Sequence, residues 1–182
     1  MAPATAYIGL GANLGGDLAT LRATLASAWR ALAALPDTQV LATSSLWRSA
    51  PVDAGGPDYL NAVVALRTSM QPLELLHALQ AIEHAHGRQR PYHNAPRTLD
   101  LDLLIFGDTT LDLPQLSLPH PRLHLRAFVL RPLLEVAPDL PELALHLAAL
   151  SDQVLVRMPA ATDWPPGAAA DFSVVPESPI SH

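Results

Sequence analysis

With 182 residues, 49% of them hydrophobic, and a mean hydropathy of +0.20, the chain can bury a proper core and is expected to form one main domain. A net charge of −6 argues against general nucleic-acid binding, and the lack of cysteine excludes a disulfide framework, a thiolate nucleophile and a cysteine-based zinc site. No apolar run approaches the roughly 20 residues needed to cross a bilayer, and no basic and apolar leader opens the chain, so a soluble, cytoplasmic protein without membrane contacts is expected.

In chain order, Ala4 to Gly11 is β-prone, and Asn13-Leu14-Gly15-Gly16 reads as a strand-to-helix turn more readily than as an anion cradle. Asp17 can cap a helix whose apolar positions Leu18, Leu21, Leu25, Ala28, Trp29, Leu32 and Leu35 keep a 3.6-residue period, ended by Pro36-Asp37. Gln39 to Trp47 and Tyr59 to Thr68 are strand-like, separated by a Pro- and Gly-rich loop over 50–57. Pro72 opens a second helix closed by Gly87, and after a loop over 88–96 comes the apolar run Leu99 to Phe106. The order β-α-β-β-α-β predicts an α+β ferredoxin-like sandwich: a mainly antiparallel sheet, two helices on one face, and the other face left for loops and ligand. Leu111 to Leu118 reads as irregular, Phe128 to Val136 as a helix interrupted by Pro132, and Pro141 to Leu150 as a further short helix. The main domain is placed at 1–157, with 158–182 a poorly ordered tail unless Trp164 or Phe172 docks.

Two carboxylates, Asp100 and Asp102, interrupt the last apolar run. On a strand they share one face, roughly 7 Å apart at about 3.3 Å of rise per residue, while Leu99, Leu101, Leu103 and Ile105 take the other. That spacing suits one or two hard cations such as Mg²⁺, completed by phosphate and water, and equally suits a solvated face paired with arginine. The chain has no lysine, so all 11 side-chain cations are arginines, which rules out a Walker A or Schiff-base lysine. Six of them, Arg88, Arg90, Arg97, Arg122, Arg126 and Arg131, lie near the Asp pair in sequence, and guanidinium groups clamp phosphate oxygens bidentately. Tyr59 and Asn61 share a strand face beside the long loop, offering an aromatic ring and an amide that can read a heterocycle edge. His120, set between two prolines and followed by Arg122 and Arg126, fits a phosphate contact as well as an ordinary loop histidine.

From Thr5 to Leu150 the chain resembles the 6-hydroxymethyl-7,8-dihydropterin pyrophosphokinases. The resemblance rests on Tyr7-Ile-Gly-Leu-Gly-Ala-Asn-Leu-Gly15, Ser44-Ser-Leu-Trp-Arg-Ser-Ala-Pro51, Pro57-Asp-Tyr-Leu-Asn-Ala62, Glu83 with Gly87-Arg88 and Arg90, Pro96-Arg-Thr-Leu-Asp-Leu-Asp102, and Pro119-His-Pro-Arg122 with Arg126-Ala-Phe128. It implies transfer of pyrophosphate from ATP to the pterin hydroxymethyl group, giving AMP and the pterin diphosphate in folate biosynthesis. Asp100 and Asp102 would then bind two Mg²⁺ ions. Ser49, Pro51, Val52, Tyr59, Asn61 and Phe128 would line the pterin pocket, and Glu83, Arg88, Arg90, Arg97, His120 and Arg126 would meet ATP. Arg88, Arg97, Asp100 and Asp102 would carry the catalysis, with Asp102 a candidate acceptor of the hydroxyl proton. The loops over 11–16, 50–57 and 88–96 would act as lids, and the enzyme would be a monomer. The chain departs from the family pattern at His93-Asn94-Ala95-Pro96, where an aromatic latch is expected and Tyr92 is the available substitute. Two rival readings are a non-catalytic ferredoxin-like ligand-binding module and a two-metal phosphohydrolase.

Overall fold

The first β-prone run becomes β1 (Ala4–Ala12), which lies between two long neighbours, β4 (Tyr59–Thr68) and β5 (Asp100–Phe106). The computed structural model describes residues 2–13, 17–49, 58–87 and 99–166. Asp17 caps α1 (Leu18–Ala33), its carboxylate accepting the Thr20 N–H at 2.9 Å, and α1 buries Leu21, Leu25, Ala28 and Leu32 at helical spacing. The second helix, α2 (Pro72–Gly87), starts and ends at the residues expected.

The single strand expected over Gln39 to Trp47 is divided into β2 (Thr38–Thr43) and β3 (Trp47–Ser49), both paired with β4. The register explains the break: Thr43 stands opposite Val64 and Trp47 opposite Asn61, so residues 44 to 46 bulge over Ala62 and Val63. Ser44 sustains the bulge. Its N–H donates to Val63 O at 2.9 Å, while its Oγ, in place of its own carbonyl, accepts the Val63 N–H at 2.8 Å. The displaced Ser44 carbonyl accepts the indole N–H of Trp164 at 2.9 Å.

Every strand pairing is antiparallel, in the order β5-β1-β4-β3-β8, where β8 (Leu155–Arg157) extends the edge and β2 lies beside β4. This is the ferredoxin-like βαββαβ sandwich. Ile8, Leu10, Leu60 and Leu66 of the sheet pack against Leu25, Leu32, Leu75 and Leu79 of α1 and α2. The opposite face is not left wholly to loops: α3 (Ala127–Val136) covers part of it, packing Val129, Leu130 and Leu133 against Val63 and Leu104. Pro132 is buried inside α3 without ending it, and lacks the N–H that would pair with the Phe128 carbonyl. Pro141 to Leu150 is a run of helical turns around a short α4 (Ala144–Leu147). Leu111 to Leu118, expected to be irregular, instead closes a small hairpin of β6 (Leu111–Asp112) and β7 (Ser117–Leu118), in which Leu113 and Leu116 exchange both backbone bonds.

Residues 158–166 pack back against the sheet and α1. The Met158 N–H bonds Leu46 O at 2.8 Å, Asp163 pairs with Arg22 of α1, and Trp164 is buried at 7% exposure. Phe172 lies outside the described residues.

Two substitutions test the bulge. Ser44→Ala strands the buried Val63 N–H and is expected to cost about 1–3 kcal/mol, whereas Trp164→Ala removes a packed indole and is expected to cost about 3–5 kcal/mol. Urea unfolding of the two variants measures both; values within 0.5 kcal/mol of wild type would show that the bulge is not held this way.

Candidate active site

On the α3 side of the sheet the register sets out a floor. Asp100 stands opposite Gly11 and Asp102 opposite Gly9 across the β5–β1 pairing, and on the other side of β1 the same glycines face Asn61 and Val63 of β4. Period two therefore brings both carboxylates to one face, as expected. Ile105 is the exception to the expected alternation. Tyr7 pairs with Ile105 but Ile8 pairs with Leu103, so Leu104 is an extra residue. That bulge turns Ile105 to the carboxylate side, toward α3, where alternation already places Leu104, and returns Phe106 to the α1–α2 core.

Above this floor lies a cleft of about 610 Å³, lined by both aspartates, Ser49, Tyr59, Asn61, Phe128, Arg126, Arg122 and Gln153 among others. Its size is that of a small-molecule site. Asn61, 4% exposed, donates from Nδ2 to Ser49 Oγ at 2.9 Å and to Trp47 O at 3.4 Å. Its Oδ1 lies over Gly11, 3.5 Å from where a Cβ would stand. Trp47 is fixed in turn: its indole N–H donates to Glu135 Oε1 at 2.6 Å, and Glu135 Oε2 accepts the Ser45 hydroxyl at 2.9 Å. The β3 wall is thereby tied to α3. The Arg126 guanidinium sits 5.7 Å from the centre of the Phe128 ring, within cation–π range.

His120, which follows β7, is held beside β5 and is not among the residues lining the cleft. Its N–H bonds Leu104 O at 2.8 Å, and its Nδ1 accepts the Arg122 N–H at 3.1 Å, which leaves the proton on Nε2. Burial pushes its pKa below the ordinary value; Asp102 works against this, while Arg126 and Arg122 add to it.

Of the remaining expected site residues, Glu83 lies on α2 and is not among those lining the cleft. Pro51, Val52, Arg88, Arg90 and Arg97 lie outside the described residues, as do the loops over 50–57 and 88–96 and the position of Tyr92. Two residues beyond the expected set, Arg122 of the arginine cluster and Gln153, also line the cleft. The spacing of Arg122 from His120 is a signal for the first. No local motif marks Gln153.

Among the described residues no three His, Cys, Asp or Glu side chains come together as a metal cluster. The two carboxylates on one face would fit a hard cation that takes its other oxygens from phosphate and water.

A sequence profile of the 7,8-dihydro-6-hydroxymethylpterin-pyrophosphokinase family matches residues 7–138. The chain belongs to this family. Among relatives of the pyrophosphokinase, a 2-amino-4-hydroxy-6-hydroxymethyldihydropteridine pyrophosphokinase of Pseudomonas aeruginosa is 45% identical over 164 residues, covering 85% of this chain and 97% of that one. One of Haemophilus influenzae with the same name is 42% identical over 137 residues, 75% and 83% of the two chains. A solved structure, Plasmodium falciparum HPPK-DHPS wild type with pterin and p-hydroxybenzoate, shares the fold at TM-score 0.57 and 16% identity over 75% of this chain. The chain spans about two fifths of that structure's length, 40%.

The environment of His120 has a measurable consequence in metal-free protein. Asp102→Asn removes the carboxylate charge that favours the imidazolium, so the His120 pKa is expected to fall further; Arg126→Gln is expected to raise it. Because the folded pKa lies below the ordinary value near 6.5, folding disfavours proton uptake, and this contribution to stability is lost as pH falls below about 6.5. Following the ring protons by NMR against pH measures all three effects, and a rise in Asp102→Asn would contradict the assignment.

Proposed function

We propose that the cleft carries out pyrophosphoryl transfer from ATP to the hydroxymethyl group of 6-hydroxymethyl-7,8-dihydropterin, with Asp100 and Asp102 as the seat of two Mg²⁺ ions. Family membership makes the chain a pyrophosphokinase of folate biosynthesis that takes ATP and a pterin as small-molecule substrates. The observation that carries the residue assignment is the register: two carboxylates opposite two glycines, with Asn61 across the same bare strand.

In this reading the pterin edge meets Asn61 and Ser49, with Pro51 and Val52 beside them, and the ring lies between Tyr59 and Phe128. The triphosphate meets His120 through Nε2–H and Arg126 through its guanidinium, joined by Arg88, Arg90 and Arg97, with Glu83 toward the nucleotide. The pterin hydroxyl oxygen attacks the β-phosphorus and AMP leaves. Charge spreads over phosphate oxygens in such a transfer, so catalysis is largely positioning and charge neutralisation. The metal ions would supply neutralisation of the phosphates and a lowered hydroxyl pKa. Asp102 takes the hydroxyl proton, and the loops over 11–16, 50–57 and 88–96 exclude water.

The same reading makes the catalytic unit residues 1–157 with an appended 158–182, and the enzyme a cytoplasmic monomer, in keeping with the cysteine-free composition. Among the described residues no helix is long and apolar enough to cross a membrane.

AMP formation from ATP, Mg²⁺ and the hydroxymethyl dihydropterin tests the proposal. Asp100→Ala and Asp102→Ala are each expected to lower kcat by on the order of 10³, the loss of several kcal/mol of charge stabilisation, with circular dichroism unchanged. Near wild-type turnover in either variant would remove the metal assignment. Phosphate release without pterin would indicate a hydrolase, and pterin binding without AMP a non-catalytic module.

A further inference from the structure

We infer that Gln153 is a positioning residue that sets where Arg126 and Phe128 stand in the cleft. The kinetic part of this inference rests on the pyrophosphokinase reading above; the structural part does not. Helices begin with N–H groups that have no partner inside the helix. At the start of α3 the N-cap is Arg126, with φ −125° and ψ 106°, and its side chain makes no capping bond. The Arg126 carbonyl accepts the N–H groups of Val129 and Leu130 at 3.1 and 3.0 Å. The Ala127 N–H goes instead to Gln153 Oε1 at 2.9 Å, and the same amide donates from Nε2 to Leu125 O at 3.0 Å.

These two bonds fall on the residues immediately before and after Arg126. They fix the peptide planes on both sides of it, and so the direction in which its side chain leaves the backbone. Phe128 lies two residues after Arg126, and its ring is the one the Arg126 guanidinium approaches. Only a group with both a donor and an acceptor at its tip can make the pair, which among side chains of this reach means a carboxamide. Gln153 is itself anchored: its N–H bonds Leu150 O at 3.0 Å, and two residues later the chain enters β8, whose Leu155 pairs with Ser49 of β3. The cleft's two walls therefore meet through one short segment. That segment lies beyond residues 7–138, the span matched by the family profile.

Two variants of the full chain separate positioning from mere stability. Gln153→Leu loses both bonds, while Gln153→Glu keeps an acceptor for Ala127 and loses the donor to Leu125. In Gln153→Leu, amide exchange at Ala127 is expected to quicken at least tenfold with the Ile8 amide unchanged. Its kcat/KM is expected to fall roughly tenfold to a hundredfold, mostly through a higher KM for the pterin. Gln153→Glu is expected to keep Ala127 protected and to show an intermediate kinetic loss. Unchanged Ala127 exchange in the folded Leu variant, or kcat/KM within twofold of wild type, overturns the proposal. If the Leu variant does not fold, the Glu variant decides by the same kinetic criterion. If the wild type forms no AMP, the proposed function fails, and exchange at Ala127 alone decides whether Gln153 holds this wall.

Discussion

Two carboxylates can stand on an apolar sheet only where water, a cation or a donor can reach them, and so only beside an open floor. Here that floor comes from β1, which presents Gly9 and Gly11 opposite Asp102 and Asp100. Packing does not demand these glycines. A Cβ at Gly9 would come 3.5 Å from Leu104 Cδ1, and one at Gly11 would come 3.5 Å from Asn61 Oδ1, both ordinary contacts. Neither residue needs a left-handed backbone. What the glycines keep is empty space: any larger side chain would stand between the carboxylates of β5 and the amide of β4, on the floor of the cleft.

The bare strand also divides the labour across the sheet. One face is an ordinary core, with Ile8 and Leu10 against Leu25 and Leu79. The other is only partly roofed, by α3 through Val129, Leu130 and Leu133, and the uncovered remainder is the cleft. The Leu104 bulge belongs to this arrangement. By adding Ile105 to Leu104 on the α3 side just after the second aspartate, it widens the apolar contact that follows the polar cleft.

Much of this was legible because it is written in period and punctuation. The Asp17 cap, the Leu21–Leu25–Leu32 stripe, and Pro72 with Gly87 fix the two helices locally, and alternation places Asp100 and Asp102 together. What local pattern does not encode is a one-residue insertion. Ser44 and Leu104 each break the period of two, and each is compensated by a partner distant in sequence: Trp164 for the first, α3 for the second. Gln153 is illegible for the same reason. Its amide serves residues 26 and 28 positions earlier, and nothing next to it signals that use.

The β3 side of the cleft follows from a chain of fixed groups that begins at the sheet. Asn61 is held by Ser49 and by the Trp47 carbonyl, Trp47 by Glu135, and Glu135 by Ser45, whose hydroxyl also accepts from Arg157 Nε at 3.0 Å. Each link removes rotamer freedom during folding, so the Asn61 amide has little freedom left to lose when a ligand arrives. Ser45, Trp47 and Arg157 are exposed enough that no single link contributes much to stability. Their value is geometric: the chain couples β3, α3 and β8, the three elements that carry Ser49, Phe128 and the segment after Gln153. A cleft whose walls come from such distant parts of the sequence keeps its shape only if those parts are tied to one another, and here the ties are polar and run around its rim.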